Sequence, residues 1–245
     1  MKRVKRAIYA GAVLEQLVYT VPDRQKKLKK LPRARFASDE ERAAHRWGIS
    51  RRHHARLVNE NFNTESLYCT LTFDNNDEVY DFADAKRLRN NFVRRLQYYF
   101  PDARIIIYMG RGKHTHRIHF HMLSHGIPDE VIRKQWIYGN VIRIEHLRAH
   151  NTYNGIDYGA DYTGLANYLF DHWMPEQGGH HYKATRNLDR PMKDEAKEVK
   201  RCYTEERPPA APKGYKLVEA EHTPYGFYYF KYVKEPPKRV NRMRI

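Results

Sequence analysis

The chain has 245 residues, enough to bury a substantial core in one elaborated domain, or in one domain with sizeable extensions. Apolar residues make up 41% and charged residues 30%, and the net charge is +16, so polar extensions around a folded centre are expected. No apolar stretch is long enough to span a bilayer, and the two distant cysteines, Cys69 and Cys202, make neither a disulfide framework nor a cysteine-based zinc site, which suits a reducing cytoplasm.

Residues 1–62 read as a basic N-terminal arm, helical or partly disordered. The apolar stretch after Met1-Lys-Arg-Val-Lys-Arg is interrupted by Glu15 and Gln16, so no secretory signal is expected. A basic run over residues 25–32 ends at Pro32, and helical character begins at Asp39-Glu40-Glu41. Residues 66–73 alternate Leu67, Cys69, Leu71 and Phe73 with Tyr68, Thr70 and Thr72, which predicts a strand. Asp74-Asn75-Asn76-Asp77 ends it with turn formers. Leu88, Phe92 and Leu96 at four-residue spacing predict a helix over 84–100, broken by Pro101. Residues 104–109 are a buried strand, 110–113 a turn, and 117–123 a returning strand. Pro128 suits the first turn of a helix over 129–137. Tyr138-Gly139-Asn140 turns into a strand over 141–145, followed by a polar loop over 146–161 and a helix over 162–173 stopped by Pro175. A basic, proline-rich extension over 191–245 carries a late strand at 227–233.

The order strand, helix, strand, strand, helix, strand, helix predicts an α+β fold for residues 63–190. The expected form is an antiparallel sheet of the ferredoxin or RRM type, with helices on one face. The charge is uneven along this plan. Residues 1–60 hold 16 Lys and Arg against 6 Asp and Glu, residues 190–245 hold 14 against 8, and residues 61–189 hold 15 of each. Basic flanks around a neutral block suit a polyanion held about a central site. Solubilising tails, or arms that bind nucleic acid without specificity, would look the same.

The densest chemistry is His114-Thr-His116-Arg-Ile-His119-Phe-His121. On a strand His119 and His121 point to one face and Phe120 to the other, so two imidazoles can chelate one divalent ion. A histidine-lined, solvated face is the plainer reading. On the helix over 162–173, Tyr168 and His172 are four residues apart and share a face. If that face meets the histidine strand, a phenol that can attack a phosphodiester stands beside a metal that polarises it, with His172 as a third ligand. Otherwise Leu165, Leu169 and Trp173 pack the core and Tyr168 is one surface tyrosine among 19. Gly110-Arg111-Gly112-Lys113 and Arg117 offer charge and close backbone approach to a phosphate, or form an ordinary basic hairpin. Lys183 and Arg186, after the cluster ending in His180 and His181, suggest a DNA-contacting loop. No GxxxxGK[ST] sequence occurs, so an ATPase or helicase is not expected.

CTLTF, then RIHFHML, then a helix with a central tyrosine resembles, in that order, the HUH endonucleases, and more closely the rolling-circle replication initiators (Rep proteins) of bacterial plasmids and phages. The likeness covers about residues 64–190. It implies a strand near the active site at Leu71-Thr72-Phe73, a metal pair at His119 and His121, and a nucleophile at Tyr168. It also implies nicking and rejoining of single-stranded origin or hairpin DNA through a 5′-phosphotyrosine, with Mn²⁺ or Mg²⁺. Many Rep proteins carry a lysine three residues after the tyrosine, where this chain has Asp171. Many take an acidic third ligand from the strand before the histidine pair, where this chain offers only Met109-Gly110. Related transposases place a ligand four residues after the tyrosine, the position of His172. Tyr162 is the rival nucleophile. The cysteine usage and the lack of apolar spans lead to the expectation of a cytoplasmic protein with no membrane partner, a monomer is expected, and the lack of a helicase motif implies a borrowed host helicase. Two other readings compete. One is a non-catalytic copy-control module on the same fold. The other is a cupin-type metal site, in which a glutamate rather than His125 would follow His-x-His by four residues, on an all-β fold.

Overall fold

The computed structural model describes residues 1–22, 38–74, 79, 81–112, 114, 116–172, 180–223 and 226–235. In chain order the elements are β1 (Lys2–Ala10), β2 (Val13–Val21), α1 (Asp39–Asn61), β3 (Leu67–Thr72), α2 (Phe82–Tyr99), β4 (Arg104–Arg111) and β5 (Ile118–His125). Then come α3 (Asp129–Gln135), β6 (Ile142–His146), β7 (Thr152–Tyr153), β8 (Ile156–Asp157), α4 (Thr163–Asp171) and β9 (Tyr182–Ala184). The last are β10 (Met192–Lys193), β11 (Lys197–Glu198), β12 (Tyr215–His222) and β13 (Tyr228–Lys234). The fold is α+β with antiparallel sheets, and among the described residues no helix is long and apolar enough to cross a membrane. Cys69 and Cys202 are free thiols, and burial pushes the Cys69 thiol up to about 12.

The chain forms two compact units. One comprises Met1–Asp39, Arg148–Asp161 and Pro191–Ile245. Its sheet runs β10-β1-β2-β13-β12, with β11 also paired to β1. This corrects the expectation of a helical or disordered arm for residues 2–21, whereas the helical character expected from Asp39 is present as α1, and the basic run over 25–32 lies outside the described residues. Residues 2–21 form a regular hairpin, Lys2 opposite Val21 through Ala10 opposite Val13. The basic alternation Lys2, Arg3, Lys5, Arg6 hid the strand, because Val4, Ala7, Ile8 and Ala10 are the buried positions. The expected late strand is present as β13. It is not part of a separate extension, since it pairs with β2 and closes a core of Ala7, Leu14, Val18, Phe230 and Tyr232. Lys231 on β13 is buried and ion-paired with buried Asp161 at 2.6 Å. The loop expected over 146–161 carries the short β7–β8 hairpin.

The second unit, Glu40–Leu147 with Tyr162–Arg190, holds the motifs. Its sheet order is β6-β3-β5-β4-β9, so β5, the histidine strand, is the central one. Alternation sorts its side chains into two faces. Leu67, Cys69, Leu71, Ile105, Ile107, Met109, Ile118, Phe120 and Met122 face Phe82, Ala85, Phe92 and Leu96 of α2 and Ile132 of α3 in one core. Trp136 closes that core in edge contact with Phe92 and Phe120. Asp81 caps α2, its carboxylate accepting from the Ala83 and Asp84 N–H groups.

The other face of the sheet carries Tyr68, Thr70, Tyr108, His119 and His121. The sequence placed helices on one face only; α1 and α4 also lie against the histidine face. His54 of α1 hydrogen-bonds the Tyr108 hydroxyl at 2.8 Å, and Tyr168 and His172 of the α4 segment lie against His121. The physical reason is that Ala55, Val58, Ala166, Leu169 and Phe170 need burial, and the α2 face is already full. With α-helices on this sheet, an all-β cupin barrel is not the architecture.

Candidate active site

His119 and His121 stand on β5 opposite Thr72 and Thr70 of β3, and opposite Gly110 and Tyr108 of β4. Their Nε2 atoms are 3.2 Å apart. Two ligands at adjacent corners of an octahedral ion with bonds of about 2.0–2.2 Å stand about 3 Å apart, so the pair fits one divalent ion. Burial, then the neighbouring His119 and His172, holds His121 down to about 3. Burial and His172 also lower His119. Both rings are therefore neutral at pH 7, the state in which imidazole is a ligand.

The second ring nitrogen of His121 is also engaged. Its Nδ1 lies 2.8 Å from the Tyr68 hydroxyl and 3.3 Å from Thr70 Oγ1. In the tautomer that leaves Nε2 to a metal, Nδ1–H donates to these oxygens and fixes the ring's orientation. The Tyr68 ring also stacks on His121 at 5.8 Å. Burial raises Tyr68, which keeps the phenol protonated. Tyr68 and Thr70 were not singled out from sequence. Their alternation in β3 was visible, but their register against His121 was not.

Tyr168 is 51% exposed, with its ring 4.2 Å from His172 and 6.2 Å from His121. His172 caps the end of α4 and lies 5.2 Å, ring to ring, from His121. Its Nδ1 donates to the Tyr168 carbonyl at 2.8 Å, leaving Nε2 as the open nitrogen. Among the described residues no three His, Cys, Asp or Glu side chains already surround one metal position. The two strand histidines are spaced as a chelating pair, with the His172 ring 5.2 Å from that of His121.

Tyr162, the rival nucleophile, is 2% exposed at the start of α4. Its hydroxyl has no hydrogen-bond partner among the described residues, and burial pushes it up to about 12. Its N–H donates to Asn59 Oδ1, and Asn59 Nδ2 donates to Thr163 Oγ1, so α1 pins the start of α4. The far end is pinned as well. Arg51 of α1 forms a two-pronged pair with Asp171, with contacts of 2.7–3.1 Å. Asp171 thus has a structural partner in Arg51.

The predicted basic contacts divide. Gly110 and Arg111 are the end of β4 and not a turn. Gly110 faces His119, and a Cβ there would lie 2.7 Å from His119 Nε2, so the glycine makes room for the imidazole. Arg111 packs over the Phe82 ring at 4.6 Å, on the α2 side of the sheet and away from the histidines. Lys113 lies outside the described residues. The turn is instead closed by Gly112 N–H donating to Arg117 O, with His116 at φ +55°. Arg117, two residues before His119, donates to the Phe73 carbonyl at 2.7 Å. Lys183 lies on β9, on the α2 side, donating to Asn90 Oδ1 at 2.9 Å. Arg186 follows Thr185, whose N–H donates to Ile105 O, and so lies at the opposite end of β4 from Gly110. His181 stacks on Phe170 at 4.0 Å and is not gathered with the histidine pair.

Comparison with family models, curated proteins and solved structures finds no match to this chain.

Proposed function

We propose that the protein is a metal-dependent, single-tyrosine endonuclease of the HUH type, on a ferredoxin-like sheet, that nicks and rejoins single-stranded DNA as a rolling-circle replication initiator. The observation that carries this reading is the exposed Tyr168 ring beside His172 and the paired Nε2 atoms of His119 and His121. His119, His121 and His172 would hold Mn²⁺ or Mg²⁺, which when bound polarises a phosphate oxygen.

The chain's own groups perform the rest. The Tyr168 oxygen attacks phosphorus, and the bond from phosphorus to the 3′ oxygen breaks. The phenolic proton passes to solvent and the leaving 3′ oxygen takes one up, which leaves a free 3′ hydroxyl and a 5′-phosphotyrosine. Attack by a 3′ hydroxyl reverses the sequence and rejoins a strand. Tyr68 and Thr70 hold His121 in register, and burial keeps both strand imidazoles neutral. Duplex opening falls to a separate helicase.

The test is incubation with Mn²⁺ and single-stranded oligonucleotides from the protein's own replicon. The expected product is an SDS-resistant protein–DNA adduct that is abolished by EDTA and lost in Tyr168→Phe. An adduct persisting in Tyr168→Phe would move the nucleophile elsewhere. Tight binding with no adduct in the wild type would favour a non-catalytic copy-control module.

A further inference from the structure

On the opposite side of the sheet from the histidines, a cavity of about 460 Å³ opens between α2 and the edge strand β9, lined by Lys86, Arg89, Asn90, His180, Tyr182 and Lys183. Lys86, Arg89 and Asn90 are spaced i, i+3, i+4, which puts them on one face of α2. Alternation along β9 turns Lys183 toward that face while Tyr182 lies on the other.

Among the described residues no carboxylate is hydrogen-bonded to Arg89 or Lys183. Lys183 Nζ donates to Asn90 Oδ1 at 2.9 Å, and Arg89 Nη2 donates to the same oxygen at 3.3 Å. Arg89 Nε is buried with no hydrogen-bond partner among the described residues. A neutral amide oxygen is thus the shared anchor for a half-buried guanidinium and a largely solvated ammonium. Burial lowers Arg89, and burial together with the Arg89 charge lowers Lys183. A partly desolvated guanidinium beside a second cation is a place where an anion is favoured.

We propose that this cavity is a phosphate-binding site for single-stranded nucleic acid, with Arg89 and Lys183 gripping one non-scissile phosphate and Lys86 adding charge at the rim. A guanidinium and an ammonium side by side at one cavity match a phosphate. The half-buried Tyr182 lines the cavity at the β9 edge, and its ring packs against Tyr108 and His54 on the histidine side, at 5.8 and 4.8 Å. A strand gripped here rounds the β9 edge toward that face. Two strand spacings, roughly 10 Å, separate β9 from β5, so this phosphate is not the one under attack. The identity of the ligand rests on the nickase reading above; the anion site itself does not.

The experiment measures binding of a fluorescent oligothymidylate across a salt series, in a Tyr168→Phe background so that no cleavage is required. Arg89→Gln with Lys183→Gln is expected to weaken binding about tenfold at low salt. It should also flatten the slope of log K against log salt by about 0.7, one single-strand phosphate. Asn90→Asp is the second variant. It places a carboxylate between the two cations, so it should raise the melting temperature while weakening binding to a similar degree. A merely structural role for the cluster predicts no loss of binding in Asn90→Asp. Unchanged affinity and slope in both variants would overturn the site. Inorganic phosphate binding that the double variant abolishes, with oligonucleotide affinity intact, would overturn the nucleic-acid assignment. Weakened binding in the variants stands as support even if wild-type protein forms no adduct, so failure of the nickase reading is separately visible.

Discussion

Gly110 and His119 face each other across β4 and β5, and a Cβ at position 110 would lie 2.7 Å from His119 Nε2 and 3.0 Å from Cε1. A glycine in a strand interior is otherwise unfavourable, so its place here is tied to the imidazole. In Gly110→Ala the His119 ring must leave its present position beside His121. The sheet should tolerate this, because the clashing group is a side-chain tip, and the melting temperature is expected to stay within a few degrees. Mn²⁺ affinity by calorimetry, and adduct formation with it, should fall at least about tenfold. Wild-type Mn²⁺ affinity in this variant would show that the pair does not bind metal together.

Tyr68 holds His121 through its hydroxyl, so Tyr68→Phe keeps the stacked ring and removes the oxygen. The expected result is a folded protein with Mn²⁺ affinity reduced about 10- to 100-fold. Thr70→Val, which removes the longer contact, should cost less. Equal and negligible effects of both would mean that His121 needs no orienting partner.

His54 is buried against Tyr108, and burial, then the His181 charge, lowers it from 6.5 to about 3. Between those values the unfolded chain binds a proton that the folded chain refuses. Its contribution to stability is therefore complete above pH 6.5 and is lost as pH falls toward 3, by about 1.4 kcal/mol per pH unit. Denaturant unfolding at pH 7, 6, 5 and 4 should show this slope, and His54→Gln should lower it by about one proton. An identical pH dependence in the variant would contradict neutral burial of His54.

Asp171 answers Arg51 at 2.7 Å, with both side chains partly exposed. Asp171→Lys sets two cations against each other. We expect a loss of about 0.5–1 kcal/mol after solvent screening, read as a melting shift of a few degrees that shrinks in 1 M salt, with no gain in adduct yield. A gain in adduct would place position 171 in the chemistry rather than in the α1–α4 pairing.

Periodicity and turn chemistry alone determined most of the second unit. The alternation of residues 66–73, the four-residue spacing of Leu88, Phe92 and Leu96, and the buried run over 104–109 each found their strand or helix, because local pattern reports which face is buried. The pair His119 and His121, and the shared face of Tyr168 and His172, were likewise legible, since strand and helix periods place residues two and four apart together. The strands over residues 2–21 are hidden in the sequence because the buried positions of β1 are interleaved with Lys and Arg, and β2 finds its second partner, β13, more than 200 residues away. Only the tertiary structure decided that Tyr68 meets His121, that Gly110 makes room for His119, that Asp171 belongs to Arg51 and that Lys183 faces α2. Each depends on strand register or helix docking, which long-range burial sets and which no local run of residues records.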